Sequence, residues 1–425
     1  MARAMKDSGI EWIGEIPEGW ETLKVKYTSW LKGRIGWQGL TSAEYIDYGP
    51  YLVTGTDFSS GRINWNSCVH ISKERYEMDS DIQIKEGDLL ITKDGTVGKV
   101  AIARDCPNEV SLNSGILLIR NIGEYKYYDK YLYYVLLSDV FWRWYTLSQT
   151  GQSTIKHLYQ EQFYNFEYPF PSFNEQLRIA DFLDAECARI DAVIEQTRAS
   201  IEEYKKLKQA VITQAVTKGI RPGRKMKDSG IEWVGEIAED YQLEKLKYVC
   251  EILDQYRSPI TADQRNQNAE VLYDYYGASG AIDKIDGYTI DDHVMLIGED
   301  GANLKMRNLP LMYEVNGKAW INNHAHILKP KDGMDFYYLF FTLEALDINP
   351  YITGSAQPKL SQDNLKNIWL PVPALDEQIE IAGYIKEQAI KIESLIGKKK
   401  LYLSELESYK KSLIFEYVTG KKEVF

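Results

Sequence analysis

Two stretches of the chain carry the same long helical pattern. In the first, apolar or semi-apolar residues fall at Ile190, Ile194, Thr197, Ile201, Tyr204, Val211 and Ala215, the three-and-four spacing of one helix face. The register returns 202 positions later at Ile392, Ile396, Leu403, Leu406, Leu413 and Tyr417, with Lys399 in the slot of Thr197. Val193, Leu207, Leu395, Tyr402 and Tyr409 widen the stripe, and the positions between are charged, as on the solvated back of a coiled coil. Ser172 with Glu175 predicts a capping box at the start of the first helix. Ala374 has no hydroxyl, so Asp376 is the expected cap of the second, while Gly219 and Pro222 stop the first. At about 42 residues each, the helices would run roughly 60 Å. That length suits a spacer formed by two antiparallel helices.

The stretches between them change period. "DLLITKDGTVGKVAIA" and "SLNSGILLIRN" are short apolar runs punctuated by turn residues, which predicts strands. "KYLYYVLLSDVFWRWY" and "DFYYLFFTLEAL" predict short buried helices. Each middle is therefore expected to be an α+β globule of about 150 residues, and the expected order is globule, helix, globule, helix.

The ends of the two halves repeat. Met5–Ile16 reads MKDSGIEWIGEI and Met226–Ile237 reads MKDSGIEWVGEI, eleven of twelve residues identical. "FPSFNEQLRIADFLD" from Phe170 returns as "VPALDEQIEIAGYIK" from Val372, and "AVTKG" from Ala215 as "YVTGK" from Tyr417. Weaker echoes lie inside: "DLLITKDGTVGKV" against "VMLIGEDGANLKM", and "TGQSTIKHL" against "TGSAQPKLS". The chain reads as one half-protein written twice, with like ends and unlike middles. The second opening departs from the first at Ala238 for Pro17 and "EDY" for "EGW".

Composition narrows the function. Hydrophobic residues at 44% and charged residues at 26% are ordinary for a globular protein. No run of about 18 apolar residues is present to span a membrane, and the N-terminus has no apolar core of a secretory leader. Cys68, Cys106, Cys187 and Cys250 lack C-x-x-C spacing, so reduced thiols and a cytoplasmic address are expected. "GTVGKV" has Lys93 where a phosphate loop begins with glycine, and "INPY" lacks the second proline of an adenine methyltransferase box. His324 and His326 share a strand face without an evident third ligand. No catalytic constellation and no metal site is expected. The net charge of −12 argues against avid unaided DNA binding, and a coiled-coil interaction scaffold without nucleic acid is a competing reading.

The phrases "DSGIEWIGEIPEGW" and "PFPSFNEQLRIADFLD", with the duplicated long helix, resemble the specificity subunit of type I restriction-modification systems over essentially the whole chain. The resemblance implies two pseudo-twofold-related α/β target-recognition domains separated by two long antiparallel coiled-coil helices. The expected boundaries are 1–170 for the N-terminal segment and first recognition domain, 171–220 for the first helix, 221–373 for the second domain with its repeat segment, and 374–425 for the second helix. It implies a non-catalytic chain without a cofactor, reading the two halves of a double-stranded DNA target. Two modification (methyltransferase) subunits and the restriction subunits would carry S-adenosylmethionine, ATP and Mg. The helices would set the spacing between half-sites. Their stripe residues Ile190, Ile194, Ile201, Tyr204, Ile392, Ile396, Leu403, Leu406 and Leu413 are the expected docking surface for partner helices.

Residues 17–170 hold 16 basic and 19 acidic residues, and 238–373 hold 12 and 20. Local placement of a few cations and amides, not bulk charge, must then supply base readout. The turn-rich segments offer Arg34, Trp37 and Gln38; Lys93, Thr96 and Lys99; and Gln152, Ser153 and Lys156 in the first half. The second offers Asn303, Lys305 and Arg307; Asn322, Asn323 and His324; and Gln357 and Lys359.

Overall fold

The computed structural model describes residues 3–34, 40–123, 125–149, 156–232, 234–261 and 270–424. Two helices far exceed the rest, Phe173–Lys218 with 46 residues and Leu375–Val418 with 44. The chain divides into two compact units, Met1–Thr197 with Leu401–Phe425, and Arg198–Lys400. Both long helices are therefore shared out between the units.

In the first unit, Leu89–Thr92 and Ile116–Asn121 are the central strands of a four-stranded antiparallel sheet, flanked by Val100–Ile102 and Ser29–Gly33. A second sheet pairs Ile46–Val53 with Val110–Leu112 in parallel and with Val69–His70 antiparallel. Helices Asp129–Leu137 and Asp139–Ser148 follow the strands, and Ser138 caps the latter by accepting from the Val140 amide at 3.2 Å. Phe141, Phe163, Phe166 and Tyr168 pack with Ile179, Leu183, Ile190 and Ile194 of the first long helix and with Leu413, Ile414 and Val418 of the second. Much of the tyrosine content is thus core material whose hydroxyls find buried partners.

The second unit has one six-stranded sheet. Its order is Cys250–Ile252, Ala325–Pro330, Ile290–Gly298, Met312–Ile321, Tyr273–Gly277 and Gly280–Ile285. Helix Phe336–Ala345 packs with the sheet residues Met295, Ile297 and Leu328 and with Ile212, Ala215 and Val216 of the first long helix. The unlike middles are therefore unlike at the sheet edges, while the central strands correspond.

The like ends form a joint that is built twice. In the second unit the Glu377 carboxylate, 3% exposed, receives Arg224 (Nη2 to Oε2, 2.8 Å) and the Tyr241 hydroxyl at 2.7 Å. In the first unit Arg3 and Trp20 meet Glu175 at 2.7 and 2.9 Å. Glu175 is thereby committed to the joint, and no capping box with Ser172 forms. Asp376 lies inside the second long helix, in its first turn, and so is not its cap. The neighbouring glutamines act alike. Gln176 accepts from the Tyr128 amide and donates to Pro171 O, both at 2.9 Å. Gln378 accepts from Asp335 at 2.8 Å and donates to Pro373 O at 2.9 Å.

Two buried tyrosines then grip helix ends. Tyr131 Oη lies 2.9 Å from Pro169 O and 3.1 Å from Val418 O; Tyr338 Oη lies 2.8 Å from Pro371 O and 3.1 Å from Val216 O. Despite Ala238 and "EDY", the second opening keeps the turn of the first. Trp20 N bonds Pro17 O at 2.9 Å, and Tyr241 N bonds Ala238 O at 3.0 Å.

Gly219 shows why the "VTKG" phrase ends as it does. It terminates the helix at φ +74°, and a Cβ there would lie 2.6 Å from Tyr241 Oη and 3.0 Å from Glu377 Oε1. Gly219→Ala should destabilise the second unit by more than the roughly 1–2 kcal/mol of the left-handed backbone alone, because the joint must also move. Thermal denaturation checks this, and an unchanged midpoint would show that the joint yields freely.

Candidate nucleic-acid interface

In both units the expected reading segments are brought together by one backbone frame. In the first unit, Lys93 follows strand Leu89–Thr92. Its amide donates to Gly115 O at 2.8 Å, and its carbonyl accepts from Leu158 N at 2.9 Å. Asp94 bridges to His157, whose ring is hydrogen-bonded to the Asp94 carboxylate. In the second unit Glu299 follows strand Ile290–Gly298. Its amide donates to His324 O at 2.8 Å, and its carbonyl accepts from Leu360 N at 2.7 Å. Asp300 bridges to Lys359 and accepts from, or donates to, His324 Nδ1 at 2.7 Å. Gly95 (φ +68°) and Gly301 (φ +104°) make the turns. The two faint internal echoes, K/E-D-G and the T-G segments, are the same two structural pieces.

Within the first frame, Thr96, Lys99 and Lys156 are exposed. Lys99 Nζ reaches Gly55 O at 3.2 Å. Lys93 is half-buried, and its ammonium has no hydrogen bond or ion pair among the described residues; a Cβ on Gly33 would lie 3.5 Å from it. Trp37, Gln38, Gln152 and Ser153 lie outside the described residues. Arg34 requires a correction. Only 2% exposed, it donates Nε to Leu112 O at 3.0 Å and Nη2 to Ser111 Oγ at 2.9 Å, and burial lowers its pKa. It ties two sheets together and cannot reach a base edge.

Within the second frame, Asn323, His324, Lys305, Gln357 and Lys359 are exposed. Lys359 Nζ pairs with Glu299 at 3.0 Å. Three other members are structural. Asn303 spends its amide on Leu309 N, Leu309 O and Pro310 O. Arg307, at φ +52°, donates to Glu344 O at 2.6 Å. Asn322, 5% exposed, accepts from His324 N at 2.8 Å.

Several neighbours escaped the sequence reading. Tyr159, 56% exposed, lies beside His157 with ring centroids 4.3 Å apart. Trp142 covers Gly98, where a Cβ would sit 2.4 Å from its ring. The Asp94/Asp300 correspondence was the available signal for the frame; nothing local marked Tyr159 or Trp142.

The long helices pair antiparallel inside each unit. Phe182 stacks on Tyr417 and Asp191 takes Lys410 at 2.6 Å in one; Lys208 meets Glu393 at 2.8 Å in the other. Ile190, Ile194, Ile201, Ile392, Ile396 and Leu413 are buried in this pairing and its flanking cores, and Tyr204, Leu403 and Leu406 are half-buried. They are thus not an open docking surface. The apolar residues left exposed on these helices include Leu207, Ile379, Ile390, Leu401, Tyr402 and Tyr409.

Among the described residues no group of three or more His, Cys, Asp or Glu could hold a metal ion. Cys68, Cys106, Cys187 and Cys250 are free thiols. No helix is long and apolar enough to cross a membrane.

Residues 18–203 and 238–403 match the family described as type I restriction modification DNA specificity domain. The Methanocaldococcus jannaschii type I restriction enzyme MjaVIII specificity subunit is 25% identical over 433 residues, covering 96% of this chain and 94% of its own. A chain solved in work on complex assembly and conformational transition of the type I R-M system shares the fold, with a TM-score of 0.73 at 16% identity over 96% of this chain and 99% of that one. The HsdS subunit from Thermoanaerobacter tengcongensis aligns with a TM-score of 0.51 at 17% identity, over 96% and 98% of the two chains. The chain belongs to the family of type I restriction-modification DNA specificity subunits. It is a non-catalytic, DNA-sequence-recognising subunit with two target-recognition domains, and the catalytic activities of such systems lie in other subunits. Membership sets aside the scaffold reading without nucleic acid.

Proposed function

We propose that each recognition domain reads one half of a bipartite double-stranded DNA target through the segments gathered around its Asp–Gly turn. In the first, these are Lys93–Lys99 and the stretch ending at Lys156; in the second, Asn323–His324, Lys305 and Gln357–Lys359. The observation that carries this is the recurrence of one frame, Lys93–Gly115–Leu158 and Glu299–His324–Leu360, beneath loops of unrelated sequence. A constant frame under variable side chains is what reading two different half-sites requires. The domains are taken as 1–170 and 221–373, with 171–220 and 374–425 as helices that set the spacing between half-sites.

Two modification subunits dock on the faces of those helices that remain exposed, such as Ile379 and Tyr409, and restriction subunits complete the assembly. S-adenosylmethionine, ATP and Mg belong to those partners, and the assembly works in the cytoplasm. Partner surface also answers the acidic balance, since the clamp on the duplex need not come from this chain alone.

Lys93 provides the test. A flexible ammonium without a protein partner contacts phosphate as a point charge. Lys93→Ala should therefore weaken binding across sequences and lower the salt slope by about one. Titration of the co-expressed complex against salt measures it, and an unchanged slope would remove Lys93 from the interface.

A further inference from the structure

The two frames rest on different chemistry. Strand registers place Leu117 of the first unit and His326 of the second at one station, since Ile116 pairs with Thr92 as Ala325 pairs with Gly298. Leu31 faces Ile119 as Ile252 faces Leu328, so Gly33 and Asp254 also correspond. In the first unit the station is apolar and tight: a Cβ on Gly33 would lie 3.1 Å from Leu117 Cδ2. In the second unit the edge strand stops at Ile252, and Asp254–Tyr256 turns into a short 3-10 helix that makes room for a side chain.

That room holds a buried ionic cluster. His326 is fully buried, with Nδ1 2.7 Å from Asp254 Oδ2 and Nε2 2.8 Å from Leu360 O. Asp254 also receives Ile327 N at 3.1 Å, Gln362 Nε2 at 3.0 Å and Arg257 Nη2 at 3.3 Å. Arg257 pairs in turn with Glu299, and Glu299 with Lys359 at 3.0 Å. Although burial opposes ionisation, these donors hold both the Asp254 and Glu299 carboxyls below the usual carboxylate range. Every member therefore has a partner, which a buried polar cluster needs if it is to rigidify its surroundings.

We propose that His326 is the positioning residue of the second recognition domain. Through its two ring nitrogens it fastens the Leu360 carbonyl to Asp254, and so fixes the turn that presents Gln357, Lys359 and His324. In the first domain the packing of Leu117 on Gly33 does the same work without charge. This rests on the assignment of those segments to DNA reading.

The test uses the full chain co-expressed with its modification subunits, with adenine methylation scored on a panel of targets substituted base by base in each half-site. His326→Leu removes both ring contacts, and His326→Gln keeps one donor near its place. Expected is a loss of base discrimination in the second half-site on the order of tenfold or more for His326→Leu, as for a small misplacement of a reacting or reading group. His326→Gln should fall between it and the parent, and the first half-site should be unaffected. Equal losses in both half-sites would mean a general stability effect and overturn the proposal, as would unchanged discrimination. If His326→Leu does not assemble, the His326→Gln profile alone decides by the same criteria. A Gln357→Ala/Lys359→Ala variant separates the two levels. If it leaves second-half-site preference intact, the assignment of the reading segments fails, whatever His326 does.

Discussion

Replacing residues 238–373 by residues 17–170 of the same chain should give a subunit whose complex methylates a target carrying the first domain's half-site twice. The transplant is sterically reasonable because the joint residues correspond. Trp20 would stand where Tyr241 meets Glu377, and Tyr131 where Tyr338 meets Val216 O. The frame travels whole, since Lys93, Gly115 and Leu158 all lie inside the moved segment. One contact is lost, Gln209 Nε2 to Ala345 O at 3.0 Å, worth about 1 kcal/mol as a single neutral hydrogen bond. Mapping methyladenine in a host carrying the variant would read the result. A target whose second half is unchanged would mean that the helices, not the globules, carry recognition.

The second large effect concerns stability. Arg224→Ala should cost about 3 kcal/mol, because it strands the buried Glu377 carboxylate; removing one partner of a buried pair typically costs about 3–5 kcal/mol. The low end is expected since Arg221 Nη1 stays 4.0 Å away. The equivalent Arg3→Ala should cost less, with Arg3 and Glu175 side chains 27% and 15% exposed against 13% and 4% for Arg224 and Glu377. Denaturant unfolding of the two variants side by side checks the order. Acid provides a further check. Burial resists ionisation of Glu377, but Arg224 and Tyr241 outweigh it and hold its pKa below the usual range. A depressed folded pKa contributes stability above the unfolded carboxyl value, and that stability is lost as pH falls through the folded value. The gap between parent and Arg224→Ala should accordingly narrow in acid. A gap that stays constant would place the loss in packing instead.

The long helices were legible because an apolar stripe with a charged back has few other solutions, and because Gly219 marks a stop. The doubled phrases were legible as a repeat, and Arg3/Trp20/Glu175 against Arg224/Tyr241/Glu377 explains why those letters return. Burial on the helices was misjudged for a physical reason: Ile194 or Leu413 looks the same whether its partner is in this chain or another. The reading segments were found as segments, because turn residues and the paired Asp–Gly mark them. Their members were not separable, since whether Arg34 or Arg307 faces water or a backbone carbonyl depends on strands far away in sequence. His326 carries no local sign of its role at all. It becomes visible only when the registers put it in the place of Leu117.

The tyrosine grips have a consequence for autonomy. Tyr131, in the first repeat, holds the end of the helix that belongs to the second, at Val418; Tyr338, in the second, holds Val216 at the end of the first repeat's helix. The exchange is reciprocal. Neither repeat closes on its own helix terminus, so a lone repeat would present an empty grip at one end and an ungripped helix at the other. Two such halves are mutually obligate, whether joined by the segment from Ile220 to Lys225 or brought together as separate copies. The linkage between the repeats makes that association unimolecular.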